Sequence, residues 1–441
     1  MKLPLLTAVA AHLLVASGCL LDIERQGGHV VDRRSTLHRR QALNGSSIPI
    51  SVGDRFSDGK SVPQGVGFHP TGNFSTVYNL AEIDSATKAL CREFNLPCFD
   101  TPYKTYEQRT ISGLKLGGSP HPTNASYTVL ISAGIHARER GGPDHLLNFA
   151  SDLLHADRAG TGLTYGGMSY LPSEVRTALS VGVVLLPLLN PDGVAHDHAT
   201  NLCWRKNRNP AHAVPGNPHT VGVDLNRNFS PLWNHTKYFV PKGPAPASDD
   251  PASEIYRGAG PLSEPETQDV DWVMDKHRNL GWFMDVHSMA GIVIHGWFHE
   301  SNQFRDPDMN FRNEEYHGKV GAYPDADGTR YREFIEAKDW DAMSIAAARV
   351  AGGMTDSTGT TYVGLPAADF TPSSGSSGDH GMWRALTGKG GKKVRGLGME
   401  FGGSNRGVEC EFYPTVQRHQ MSMIETGAGF MELLLNAARL G

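Results

Sequence analysis

Tyr127-Thr128-Val129-Leu130-Ile131-Ser132-Ala133-Gly134-Ile135-His136-Ala137-Arg138-Glu139 begins as a short apolar run and ends with an imidazole and a carboxylate three residues apart. The run Tyr127 to Ile131 is continuous rather than alternating, which predicts a strand buried on both faces. Gly141-Gly142-Pro143 then precedes Asp144 to Leu154, whose spacing predicts a helix opening just after the proline. Strand, functional turn and helix therefore follow one another within thirty residues. The same alternation continues outward. Apolar runs at Val181 to Leu189, Trp282 to Val286 and Val394 to Phe401 predict further buried strands. Helices are predicted at Glu264 to Lys276, Trp340 to Val350 and Val416 to Leu435, and a first one carries Leu80, Ile83, Leu90 and Phe94 on one side before Pro97. Alternation of this kind gives an α/β class: a mixed, largely parallel twisted sheet with helices on both faces.

Composition narrows the partners. The 441 residues are 39% hydrophobic and 20% charged with a net charge of -5, which leaves room for a real core and no basic footprint for nucleic acid. Glycine is abundant, 50 residues with no fixed period, as expected of a loop-rich fold. The apolar run Leu5 to Ala16 follows Lys2 and precedes Ser17 and Gly18. It is shorter than a spanning helix and reads as a signal peptide over residues 1–18, with a lipoprotein box ending at Cys19 as the rival. A secreted protein with no membrane partner is expected. Residues 19–74 then read as a polar pro-segment or tail. Its dibasic pairs Arg33-Arg34 and Arg39-Arg40 fit processing sites and a solvated tail equally.

Beyond Cys19, the four cysteines Cys91, Cys98, Cys203 and Cys410 allow three pairings in an oxidising compartment. Cys91 with Cys98 and Cys203 with Cys410 is the simplest. Glycosylation sequons at Asn44, Asn73, Asn124 and Asn234 are expected to be accessible, and the one at Asn228 buried.

His136 and Glu139 have metal-ligand spacing, and imidazole with carboxylate suits zinc, which in catalytic sites takes three protein ligands and keeps one position for water. Taken alone the tetrapeptide reads equally as a charged turn. The third ligand can be His287, which ends the strand from Trp282 and so emerges at a carboxyl edge, where open α/β sheets put their sites. Taken singly, His287 reads as a buried core histidine.

The longer series resembles the secreted zinc carboxypeptidases of the carboxypeptidase A/B type. It comprises Gly134-Ile135-His136-Ala137-Arg138-Glu139, Asn190-Pro191-Asp192-Gly193, Trp204-Arg205-Lys206-Asn207-Arg208, Val223-Asp224-Leu225-Asn226-Arg227-Asn228-Phe229, Leu262-Ser263-Glu264-Pro265-Glu266-Thr267, His287-Ser288 and Met399-Glu400-Phe401, in family order. The resemblance covers about residues 75 to 438 and implies one catalytic domain over 75–441. It implies one Zn2+ per chain, held by His136, Glu139 and His287. It implies Glu400 as general base, Arg205 as stabiliser of the tetrahedral oxyanion, and Asn226 with Arg227 as the clamp on a substrate's terminal carboxylate. Arg138 would extend the positive funnel, and Asp224 would orient a zinc histidine. The implied partners are peptide or protein C-termini.

Two departures stand out. Where the family carries a flexible capping tyrosine this chain has Thr371, preceded by Phe370, and after Glu400 it reads Phe401-Gly402-Gly403-Ser404. Alignment through Ser373 to Asp379 puts Gly378 at the base of the side-chain pocket, where glycine supplies no counter-charge and leaves volume for a bulky neutral end. A slip of one residue would bring Asp379 there and favour basic ends. Two rival functions remain: a zinc amidohydrolase acting on small acylated amino acids, and a catalytically dead secreted peptide-binding protein. No Gly-x-Ser-x-Gly elbow and no His-Glu-x-x-His helix occurs.

Overall fold

In a computed structural model, residues 46–70, 72, 74–118, 122–243, 245–321 and 330–440 are described. The apolar leader, Cys19, both dibasic pairs, Asn44 and Asn73 lie outside them.

The core is an eight-stranded sheet. Its strands are β1 (Cys98–Asp100), β2 (Ser112–Leu116), β3 (Val129–Ala133), β4 (Val183–Leu186), β5 (Trp282–Ser288), β6 (Ile292–His295), β7 (Val363–Pro366) and β8 (Arg395–Phe401). They lie in the order β1-β2-β4-β3-β5-β8-β6-β7. The four central strands β4, β3, β5 and β8 are mutually parallel, and β6 with β7 is also parallel. The pairs β1 with β2, β2 with β4 and β8 with β6 are antiparallel. Mixed character therefore enters at the flanks.

Both faces of the central strands are covered, and successive residues show it. Val129 and Ile131, Val183 and Leu185, Met284 and Val286, and Leu397 and Met399 enter one apolar cluster. Leu130, Val184, Leu186 and Phe283 enter another on the opposite face. The first cluster is closed by α1 (Leu80–Glu93), α2 (Gly142–Ala159), α6 (Ala337–Thr358) and α8 (Val416–Leu440); the second receives Val270, Val273 and Met274 of α5 (Pro265–Lys276). The remaining long helices are α3 (Pro172–Ser180), α4 (Pro191–Thr200) and α7 (Ser377–Leu386).

Every predicted helix and strand is present, with ends shifted by a few residues, although α6 runs well beyond Trp340 to Val350. Strands β1, β2, β6 and β7 and helices α3, α4 and α7 are not among the predicted elements, and each of these helices is ten residues or shorter. The segment read as pro-segment or tail is not all apart from this body. Ile48 and Phe56 are buried, the Ile48 amide donates to the Pro414 carbonyl at 2.7 Å, and Gly67 donates to Asp152 at 2.8 Å. The disulfides are Cys91 with Cys98 and Cys203 with Cys410, as in the simplest pairing. Asn124 and Asn234 are exposed, whereas Asn228 is fully buried and bonds Arg257, Gly260 and Ser263. Among the described residues no helix is long and apolar enough to cross a membrane.

Candidate active site

The site gathers at the carboxyl ends of β3, β5 and β8. His136 and Glu139 lie in the turn after β3, His287 is the sixth residue of β5, and register pairs Glu400 of β8 with His287. Because strand side chains alternate, that register puts the proposed base and a proposed ligand on the same face. All four are nearly inaccessible, His136 and Glu400 at 2% exposure, Glu139 and His287 at 4%.

The three ligand candidates converge, their donor atoms all lying within 4.8 Å of one another. His136 Nδ1 stands 2.8 Å from one Glu139 oxygen, His287 Nδ1 stands 3.0 Å from the other, and the two Nδ1 atoms are 3.2 Å apart. Two nitrogens bound to one zinc at 2.0–2.1 Å on a tetrahedron stand about 3.4 Å apart, so the spacing fits that ion. Each imidazole turns its other nitrogen to a carboxylate: His136 Nε2 to Asp224 at 3.2 Å and His287 Nε2 to Asp285 at 3.1 Å. That arrangement fixes which nitrogen faces the metal.

The electrostatics follow from burial competing with these partners. Burial would raise the Glu139 carboxyl, but His136 and His287 outweigh it and hold it far below its ordinary range. Asp224 is likewise opposed by burial and pulled down by Arg205 and His136. Burial disfavours a charged His287, yet Asp285 and Glu139 keep its affinity for a proton well above normal.

Arg205 donates to Asp224 through Nε at 3.1 Å and Nη2 at 2.9 Å, with Nη1 3.9 Å from Glu139. It therefore lies against the metal trio. Asn226 and Arg227 follow Asp224 in one short turn, and the Asn226 amide is set by the Ser377 backbone N–H, which donates to its oxygen at 2.8 Å. Arg138 is buried, 3.2 Å from Glu254 and with its guanidinium 4.4 Å from the Phe412 ring centroid. Phe412 belongs to the strap after β8 that Cys410 ties to Cys203, two residues before Arg205. Arg138 is thus roofed by two side chains that the sequence did not single out.

The pocket side differs from expectation in one respect. The volume that Gly378 was expected to leave is filled: a Cβ there would meet the ring of Phe298 at 2.2 Å. Phe298 packs with Ile292, Ile294, Ala367 and Phe370, and Phe370 itself is 2% exposed within that cluster. Asp379 accepts the Phe298 amide at 2.9 Å and faces His299 Nδ1 at 2.8 Å, so its charge is matched inside the protein. Close approach is possible because β8 carries glycine on this face; a Cβ on Gly396 would lie 1.8 Å from the Gly378 carbonyl.

Sequence reasoning passed over Asp285, Ser377, Glu254, Phe298 and Phe412. Only Asp285 left a local signal, an acid inside an apolar strand run and two residues before a ligand histidine, hence on its face.

Comparison with known proteins supports the same reading. The family model for zinc carboxypeptidases matches residues 101–384. Mouse carboxypeptidase A4 is 30% identical over 234 residues, 52% of this chain and 48% of that protein. Carboxypeptidase B of Astacus astacus is 27% identical over 266 residues, 59% of this chain and 76% of that protein. The chain thus spans about half to three quarters of these relatives. The crystal structure of carboxypeptidase A from Helicoverpa armigera superposes with a TM-score of 0.59 at 19% identity, over 83% of this chain and 75% of that one, a likeness of fold.

Proposed function

The chain belongs to the zinc carboxypeptidase family, and from that premise we propose that it removes single residues from the C-termini of peptides in a secretory or extracellular setting. The convergence of His136, Glu139 and His287 beside Glu400 carries this reading. These three residues hold the ion, which when bound supplies a Lewis acid and a water of lowered pKa. Glu400 takes the proton from the attacking water at its carboxylate and delivers it to the leaving amine. Arg205 places fixed positive charge where the tetrahedral oxyanion develops. Arg227 pairs its guanidinium with the substrate's terminal carboxylate, and Asn226 adds an amide donor. Two disulfides and the apolar run from Leu5 support export.

The side-chain preference is for neutral ends. With Phe298 against Gly378 the floor of the pocket is an aromatic ring, and Asp379 is already matched by His299. A lysine end would be desolvated without a counter-ion. A bulky ring would compete with Phe298 for the same volume, so small and medium aliphatic ends are favoured over aromatic ones. The test is release of free amino acid by the zinc-loaded protein from peptides ending in Ala, Leu, Phe and Lys. Highest kcat/KM for Ala or Leu is expected. A preference for Lys would overturn the pocket assignment, and no release from any peptide would leave a peptide-binding protein.

A further inference from the structure

We propose that Asp285 is a positioning residue for the metal, fixing the tautomer and direction of His287 and placing behind it a negative charge that favours a bound cation. The inference rests on the reading that His136, Glu139 and His287 hold zinc.

Asp285 and His287 are separated by two on β5, so their side chains leave the same face of the strand. The Asp285 Oδ2 atom is 3.1 Å from His287 Nε2. A proton held on Nε2 and donated to that carboxylate leaves the Nδ1 lone pair pointing at Glu139 and His136, which is what coordination needs. The carboxylate is itself fixed from two sides. Ser132 of the neighbouring strand donates to Oδ1 at 3.0 Å, and Ser377 at the start of α7 donates to Oδ2 at 2.7 Å. Asp285 is 1% exposed, Ser132 fully buried and Ser377 2% exposed. Its geometry therefore owes nothing to solvent.

The comparison with Asp224 defines what Asp285 adds. Both carboxylates orient a ligand histidine, but Asp224 also accepts both bonds of the Arg205 fork, so its charge is matched by a guanidinium. Asp285 instead meets an imidazole and two neutral hydroxyls. With His287 neutral, as a ligand must be, Asp285 places its negative charge one imidazole behind the ion and is held by neutral hydroxyls, whereas Glu139 also has Arg205 Nη1 at 3.9 Å. Ser377 extends the arrangement further, because its backbone N–H holds the Asn226 amide while its hydroxyl holds Asp285. One residue thus ties the metal side to the clamp on the terminal carboxylate.

The experiment is equilibrium zinc affinity by competition with a chelating indicator, on full-length wild type, Asp285→Ala and Asp285→Asn, with circular dichroism and thermal melts of metal-free and zinc-loaded protein. We expect Asp285→Ala to bind zinc about 10- to 100-fold more weakly, the range usual for loss of a carboxylate behind a ligand histidine. Asp285→Asn, which keeps the shape and an acceptor but loses the charge, should fall between it and wild type, and stands alone as the test if the alanine variant does not fold. A merely structural role would lower the melting temperature of the metal-free protein and leave the affinity of the folded fraction unchanged. That result in either folded variant overturns the inference while the metal reading stands. Absence of zinc binding by wild type would overturn both.

Discussion

The two halves of this site are built by different means. The metal half stands on the ends of adjacent parallel strands and the turn that leaves one of them, so His136, Glu139, His287 and Glu400 are positioned by spacings of two or three residues and by strand register. The pocket half is made where segments off the ladder, 34 to 80 residues apart, meet. Phe298, after β6, fills the space beside Gly378, at the start of α7, and His299 joins Asp379 to Glu333 at 2.8 and 2.9 Å. The difference teaches that chemistry anchored on a regular ladder is legible from local sequence, whereas the volume in front of it depends on which side chain arrives from elsewhere.

Removing a ladder residue should have the largest effect. His287→Ala is expected to contain no stoichiometric zinc by metal analysis and to lose hydrolysis altogether; zinc retained at one per chain would mean that the metal half is not the one described. Next in size, Glu400→Gln should lower kcat by about 10²- to 10⁴-fold, the usual contribution of a positioned proton carrier, while zinc content and KM stay near wild type. Turnover at the wild-type rate would remove Glu400 from the chemistry and break the ladder half of the comparison.

The pocket half should respond in specificity instead of rate. Phe298→Leu gives back part of the volume beside Gly378, and the ratio of kcat/KM for Phe-ending over Ala-ending peptides should rise by about 10-fold or more, the scale on which apolar pockets discriminate size. An unchanged ratio with intact zinc binding would show that substrate side chains do not reach Phe298. The smallest effect concerns pH. Burial alone would make His299 hard to charge, but Asp379 and Glu333 hold its pKa up to about 10. A folded value raised above the ordinary 6.5 contributes stability that is fully present below pH 6.5 and is lost as pH rises through about 10. The stability difference between wild type and His299→Gln, followed by thermal melts from pH 6 to 10, should therefore shrink across that window and be flat below it. A difference that grew with pH would contradict a protonated His299.

Much of the fold was legible because its strongest signals are long apolar runs, and burial on two faces leaves β3, β4, β5 and β8 without alternation. The flanking β6 and β7 are four residues each, and β7 mixes exposed and half-buried positions, which leaves little periodicity to read. Packing also took in part of the polar N-terminal stretch, since Ile48 and Phe56 reach burial only against partners distant in sequence.

By itself the sequence determined the α/β class and marked His136, Glu139, His287 and Glu400 as candidates, because these rest on residue type and short spacing or on an ordered series of blocks; the disulfide pairing it left open among three. Only the tertiary structure decided that Asp285 stands behind His287, that Phe412 and Glu254 close over Arg138, and that Phe298 occupies the space Gly378 leaves. The reason is physical. A glycine in the sequence specifies that a side chain is missing, and close packing lets any neighbour of suitable shape fill the gap, so the identity of that neighbour is fixed by the path of the whole chain.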